Sequence, residues 1–325
     1  MSLIEEDVTF PVSYGDGTCQ LRGRIFRPEN PTAEQQQLPP VVFNSGFTGG
    51  VSMYGQLVSK ALAQRGYNVV TFDVAGFFTN RDVRNTVKRG DVTVTNVSLE
   101  DQKAELLAAI SWAKQRFGRM PAVASWAMGS VPSLAAIAEL ARGGGEQVAF
   151  YVPMNYTSIA SLQGLRADKA GAHAALMALA DDEPVPPFDT GTDATKLGYY
   201  PLDPATQAYV DIQLGAYTDA GGVDRWPGCA LVSAKSYKEA MAFDPEAELG
   251  DISGRFPPVL IIHGAENTLH MPEESVRLHK VYPGPKAAEP LIIAGMEHGQ
   301  QMSADNAIFR DMIENIDRGI RARNG

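Results

Sequence analysis

The sequence has little cysteine, no long apolar run and no excess of positive charge, and each absence excludes a class of protein. Its 325 residues contain two cysteines, Cys19 and Cys229, which is too few for a disulfide scaffold or a zinc cluster, so we expect a reducing, cytoplasmic location. No apolar stretch approaches the about 18 residues that cross a bilayer, and the first residues lack the basic and apolar segments of a signal peptide. We therefore expect no membrane partner.

The charge balance is acidic. The chain has 28 basic and 38 acidic residues, a net charge of −10, and such a chain repels nucleic acid, so we expect no nucleic-acid partner. With 44% hydrophobic and 20% charged residues, the composition is typical of a folded globular protein.

What is present is an alternation of strand and helix patterns. A hairpin is predicted first, with strands over 8–13 and 21–27. Short apolar runs predict strands, and segments of helical spacing predict helices between them. The predicted strands are 40–44, 67–72, 122–124, 148–152, 258–262 and 290–293, and the predicted helices are 54–65, 99–117, 131–142, 272–281 and 304–321. This alternation predicts an α/β fold with a mostly parallel central sheet covered by helices on both faces.

The alternation breaks between residues 154 and 256. We predict a core formed by 1–153 and 257–325, with 154–256 inserted as a lid over the strand ends, where open α/β sheets bind ligands. Seven aromatic residues of this segment either pack the lid itself or line a pocket for a partly apolar acyl substrate. They are Tyr156, Phe188, Tyr199, Tyr200, Tyr209, Tyr217 and Trp226.

A very tight strand–turn–helix connection is predicted at Ser-Trp-Ala-Met-Gly-Ser, residues 125–130. The small residues at 125 and 129 allow the central residue, Ala127, to adopt a strained conformation that lifts its side chain above the sheet edge. There the next backbone N–H group and the helix dipole can hold an oxyanion. The pattern is typical of a nucleophile elbow.

Here the sequence resembles the α/β-hydrolase family. Five motifs occur in the family's order: the oxyanion loop at 43–50, the G-Y-x-V strand at 66–76, the elbow at 125–130, the P-V-L-I-I-H-G strand at 256–264 and the histidine loop at 295–299. The resemblance implies the α/β-hydrolase fold with an inserted lid. It also implies a hydrolase that cleaves or transfers an acyl group of an ester, thioester or amide, with no cofactor. No predicted helix carries the H-E-x-x-H pattern and no cysteine pair has metal-ligand spacing, so we expect no metal site.

The resemblance also assigns roles. Position 127 is the family's nucleophile, His298 its general base, and the backbone N–H groups of Phe47 and Met128 its oxyanion hole. The family's acid falls on Asn267, and the neighbouring Glu266 is an alternative from a shifted loop.

Four further residues are expected to line the substrate pocket. Ser45 stands where the family usually has a histidine, and His270 is near the acid loop. Trp126 and Tyr156 are the aromatic candidates. The expected partner is a small acyl substrate, and a homodimer is left open.

Two departures from the family leave the function open. Ala127 has no heteroatom and Asn267 carries no charge. Ala127 has three possible explanations. It results from a Ser→Ala substitution that inactivates a hydrolase, or the protein is a natural pseudo-hydrolase, or the segment is not an elbow and Ala127 is an ordinary core residue. The small flanking residues favour the first explanation, whereas Asn267 favours the second. The alternative function is a ligand-binding module, or a lyase or cyclase that uses His298 as its base.

Overall fold

The computed structural model describes residues 2–46, 54–89, 92–158, 173–185, 231–267, 270–298 and 305–322. Its strands are Leu3–Tyr14 (β1), Gly17–Pro28 (β2), Val41–Asn44 (β3), Val69–Phe72 (β4), Thr86–Arg89 (β5), Val92–Thr95 (β6), Ala122–Trp126 (β7), Tyr151–Met154 (β8), Pro184–Val185 (β9), Leu231–Ser233 (β10), Ile262–Gly264 (β11) and Leu291–Ile293 (β12). Its helices are Tyr54–Gln64 (α1), Leu99–Phe117 (α2), Ser130–Arg142 (α3), His173–Ala178 (α4), Ala234–Ala242 (α5), Pro272–Val281 (α6) and Ala307–Arg321 (α7).

The central sheet has eight strands in the order β1-β2-β4-β3-β7-β8-β11-β12. The hairpin strands β1 and β2 run antiparallel to their neighbours, and all other pairs are parallel. The prediction of a mostly parallel α/β sheet is therefore confirmed. After β3 the chain enters β4 on one side and later β7 on the other, so the crevice for a ligand is expected at the carboxyl ends of β3 and β7.

Both faces of the sheet are covered by apolar side chains. Val42, Val70 and Val123 belong to one core cluster together with residues of α2 and α3. Their chain neighbours point to the opposite face, because side chains alternate along a strand, and join a second cluster with α1 and α7. The continuous apolar character of these strands thus follows from burial on two sides.

Helix α2 is defined by its ends and buries one carboxyl group. The Ser98 hydroxyl caps its N-terminus by accepting from the Asp101 N–H, and Gly118 ends it at φ 75°. In its middle, Glu105 is 1% exposed. The Tyr14 hydroxyl and the Ala75 N–H donate to this carboxyl group. Burial raises the pKa of Glu105 to about 8.

A second, four-stranded sheet was not predicted. Its order is β5-β6-β10-β9, and it joins residues 86–95 to parts of the 154–256 segment. The rest of that segment, 159–172 and 186–230, lies outside the described residues, together with all its candidate aromatic residues except Tyr156. Over the part of the chain that the structure describes, no helix is long and apolar enough to span a membrane.

Candidate active site

The tight turn after β7 has the backbone of a nucleophile elbow. Ala127 has φ +50°, and Trp126 before it is extended. Gly129 is required by a close approach, since a Cβ there would meet the backbone carbonyl oxygen of Asn44 at 2.9 Å. The Ser125 hydroxyl is buried and donates to the Ser130 hydroxyl at 3.2 Å. Small residues on both sides of position 127 therefore allow the strained turn.

The end of β3 lies against this elbow. Asn44 is 1% exposed, and its side-chain amide donates to the Gly129 carbonyl at 3.0 Å and contacts the Ser133 hydroxyl at 3.1 Å. These bonds hold the buried Ser45 and the following Gly46 beside the turn, where a Cβ on Gly46 would lie 3.5 Å from the Ala127 Cβ. Sequence reasoning missed Asn44, whose signal is an amide at the end of an apolar strand.

Of the two residues predicted to form the oxyanion hole, the structure describes Met128. Met128 follows Ala127 directly and is 8% exposed, and the role of its N–H group stays a prediction. Phe47, the other expected donor, lies outside the described residues.

The strain at position 127 predicts the effect of a single substitution. A left-handed backbone costs an L-residue about 1–2 kcal/mol and glycine nothing comparable. We therefore expect Ala127→Gly to raise the free energy of unfolding by about 1 kcal/mol, measured by urea denaturation. The matched control is Ala124→Gly within β7, which removes a methyl group from regular strand and is expected to destabilise the protein. Destabilisation by both changes would contradict the strained turn.

His298 and Asn267 meet next to the elbow. His298 follows β12 and Asn267 follows β11, and each is 2% exposed. The Asn267 amide nitrogen lies 3.2 Å from His298 Nδ1. The His298 ring packs edge-on to the Trp126 ring, with centroids 6.3 Å apart. The alternative acid, Glu266, has an exposed side chain, so the residue in contact with His298 is Asn267.

Two further histidines surround this pair. The His270 ring stands edge-on to the His298 ring, with centroids 4.5 Å apart. His263 is fully buried between the Ser275 hydroxyl, at 2.6 Å from Nδ1, and the His270 carbonyl, at 2.8 Å from Nε2. Burial lowers the pKa of His263 to about 4, so this ring is neutral at pH 7.

Asn155, which sequence reasoning missed, connects the strands that carry the site. It follows β8 with φ +51°, a conformation that asparagine tolerates. Its side chain donates to the His298 carbonyl at 2.8 Å and accepts from the Gly264 N–H at 2.9 Å. Its carbonyl accepts from His270 Nδ1 at 2.9 Å. The loop that carries His298 is thereby attached to the ends of β8 and β11.

The remaining candidates differ in their surroundings. Trp126 is 2% exposed in the core beside His298, whereas Tyr156 is 1% exposed and lies near the Glu246 carboxylate. Burial raises the pKa of Tyr156 well above its ordinary value, so its hydroxyl stays protonated. Within the described ranges, no cluster of three or more histidine, cysteine or acidic side chains has the geometry of a metal site.

The arrangement thus brings Ala127, His298, Asn267 and His270 together at the carboxyl ends of β7, β11 and β12, with Ser45 and Trp126 beside them. It offers an imidazole and backbone donors but no nucleophile at position 127. Chemically, it can bind and polarise an acyl group, and it would need an oxygen at position 127 to attack one.

Comparison with known proteins supports the same architecture. No protein-family model and no curated protein matches the chain. Among solved structures, the chain is similar to DcsB in complex with its substrate analogue, at 17% identity and a TM-score of 0.61, over 98% of this chain and 100% of that chain. It is also similar to the α/β hydrolase GrgF from Penicillium sp. sh18, at 16% identity and a TM-score of 0.60, over 98% and 99%.

A third similar structure is the ferulic acid complex of Est1E from Butyrivibrio proteoclasticus. It is 16% identical, with a TM-score of 0.57, over 96% of this chain and 99% of that chain. In all three, nearly the whole of both chains superposes, so the likeness covers the sheet and its helices together. The chain has the α/β-hydrolase fold.

Proposed function

We propose that the site is that of a serine-type hydrolase for acyl substrates in which alanine occupies the nucleophile position. The observation that carries the proposal is the φ of +50° at Ala127. Alanine gains nothing from this backbone, which costs about 1–2 kcal/mol. The same backbone is what a nucleophile needs in order to project above the sheet edge.

A serine at position 127 explains the surrounding groups. Its hydroxyl oxygen would attack the carbonyl carbon of an ester, thioester or amide, while His298 takes the hydroxyl proton and then gives it to the leaving group. The backbone N–H of Met128 would hold the oxyanion of the tetrahedral intermediate. Water would release the acyl group by the same steps. With Ala127, substrate binding remains and turnover is lost.

The test is to introduce a serine hydroxyl at position 127 and to label it with a covalent probe. We expect a fluorophosphonate probe to add a single adduct to Ala127→Ser, or to Ala127→Ser combined with Asn267→Asp, as recorded by intact mass and peptide mapping to position 127. The adduct should be absent from the protein with Ala127 and from the same variants carrying His298→Gln. Folded variants that form no adduct would refute the proposal.

A second candidate is favoured by one observation. Asn267 places an uncharged amide where a serine mechanism uses a carboxylate, so a binding protein, or a lyase or cyclase that relies on His298, fits this contact better. Such a protein binds its ligand equally well with alanine or serine at position 127, whereas a hydrolase with serine there consumes it.

A further inference from the structure

The hydrogen bonds around Asn267 determine where the proton of His298 lies. The Asn267 side-chain oxygen, Oδ1, accepts from the backbone N–H of His270 at 2.9 Å. A backbone N–H can only donate, so the orientation of the amide is fixed. Its NH₂ group must therefore face the two ring nitrogens nearby, at 3.2 Å from His298 Nδ1 and 3.3 Å from His263 Nε2.

His263 cannot be the acceptor for this NH₂ group. Its Nε2 lies 2.8 Å from the His270 carbonyl oxygen, which can only accept, so Nε2 carries a hydrogen. Because the depressed pKa of His263 keeps the ring neutral, its Nδ1 is unprotonated and accepts from the Ser275 hydroxyl at 2.6 Å. Of the two ring nitrogens, only Nδ1 of His298 can therefore accept from the Asn267 NH₂ group, at 3.2 Å.

We propose that Asn267 is a positioning residue that fixes His298 in the tautomer protonated on Nε2. In a serine triad the acid accepts a hydrogen from Nδ1, which leaves a lone pair on Nε2 for the nucleophile. Here the amide donates to Nδ1, and the single proton of the neutral ring lies on Nε2. His298 therefore presents a hydrogen-bond donor instead of a base.

This reversal changes the chemistry of the site. In this tautomer the ring donates a hydrogen bond to an oxygen acceptor, such as an acyl carbonyl or a carboxylate. The proton transfer of the proposed function requires the other tautomer, which Asn267→Asp would supply. The ligand part of the inference rests on the proposed acyl site, whereas the tautomer does not, because it depends only on contacts among Asn267, His263, His270 and His298.

The tautomer is measurable in the protein as it stands. We would label histidine with ¹⁵N and record long-range ¹H–¹⁵N correlations at pH 7, which distinguish protonated from unprotonated ring nitrogens, with the His298 signals assigned by their loss in His298→Gln. We expect His298 to be protonated on Nε2. In Asn267→Asp the carboxylate still accepts from the His270 N–H, and we expect the proton to move to Nδ1.

The matched control is Glu266→Gln, which removes the exposed neighbouring carboxylate and should leave the proton on Nε2. A His298 ring protonated on Nδ1 in the unmodified protein would overturn the inference, even if Asn267→Asp failed to fold. So would an unchanged pattern in a folded Asn267→Asp variant. Neither result depends on whether a serine at position 127 reacts with a fluorophosphonate, so failure here and failure of the proposed hydrolase are distinguishable.

Discussion

With serine at position 127, fluorophosphonate labelling is expected to be about 10³- to 10⁴-fold faster when Asn267 is also changed to aspartate. The reason is the position of one proton. An asparagine that donates to Nδ1 leaves Nε2 protonated, and such a ring cannot accept the hydroxyl proton as oxygen attacks phosphorus. Replacing a triad aspartate by asparagine costs a serine protease about 10⁴ in rate for this reason.

The measurement is the second-order rate of adduct formation, by intact mass, for Ala127→Ser and for Ala127→Ser with Asn267→Asp. The combination of Ala127→Ser with Asn267→Ala is a useful control, because it removes the donor without supplying a charge, and its rate should fall between the two. Addition of His298→Gln should abolish the difference. Equal rates in the first two variants would show that Asn267 does not control His298.

Replacing Glu105 by glutamine is expected to flatten the pH dependence of stability. Burial raises the pKa of Glu105 to about 8 from an ordinary value of 4.5, so the folded state binds this proton more tightly than the unfolded state. The contribution of Glu105 to the free energy of unfolding is fully present below pH 4.5. It falls by about 1.4 kcal/mol per pH unit as the pH rises towards 8. The loss is on the order of 5 kcal/mol over that interval.

Glu105→Gln keeps the shape and the acceptor for Tyr14 but cannot ionise. Urea denaturation between pH 5 and 8 should show a falling free energy of unfolding in the unmodified protein and a shallower slope in the variant. Glu100 lies on the same helix with its side chain 65% exposed, so Glu100→Gln should retain the original slope. A slope that survives in Glu105→Gln would show that Glu105 ionises in the folded protein as it does in the unfolded chain.

The elements that sequence patterns predicted well are those whose signals are local. Helix α2 begins at Leu99 and ends at Phe117, as predicted, because its apolar spacing, its serine cap and Gly118 all lie within one segment. Two of the strands after residue 145 are shifted instead. The run 258–262 was predicted as a strand, whereas β11 is Ile262–Gly264, since the neighbouring strands decide which residues of an apolar run are paired.

The strands β5 and β6 were missed for the same reason. They are short and rich in β-branched residues, but part of their sheet is supplied by β10, more than a hundred residues later. No local sequence pattern indicates such a distant partner strand. Their place in the fold depends on a contact that forms only when the chain is assembled.

In the candidate site, the order of the motifs along the chain predicted that Ala127, His298 and Asn267 lie close together, because each follows a strand of the parallel sheet. It could not choose between Asn267 and Glu266. That choice follows from the bond between Asn267 Oδ1 and the His270 N–H, which turns one side chain inward and leaves its neighbour exposed. Nor could it find Asn155, whose partners are mostly backbone atoms and carry no sequence signature.

The attachment made by Asn155 has an evolutionary consequence. Through one side chain and its own carbonyl, it links the ends of β8 and β11 to the loop of His298 and to the His270 ring. None of these partners lies in residues 157–256. We therefore expect substitutions in that stretch that leave these bonds intact to leave the imidazole in place, so that its sequence can vary separately from the site.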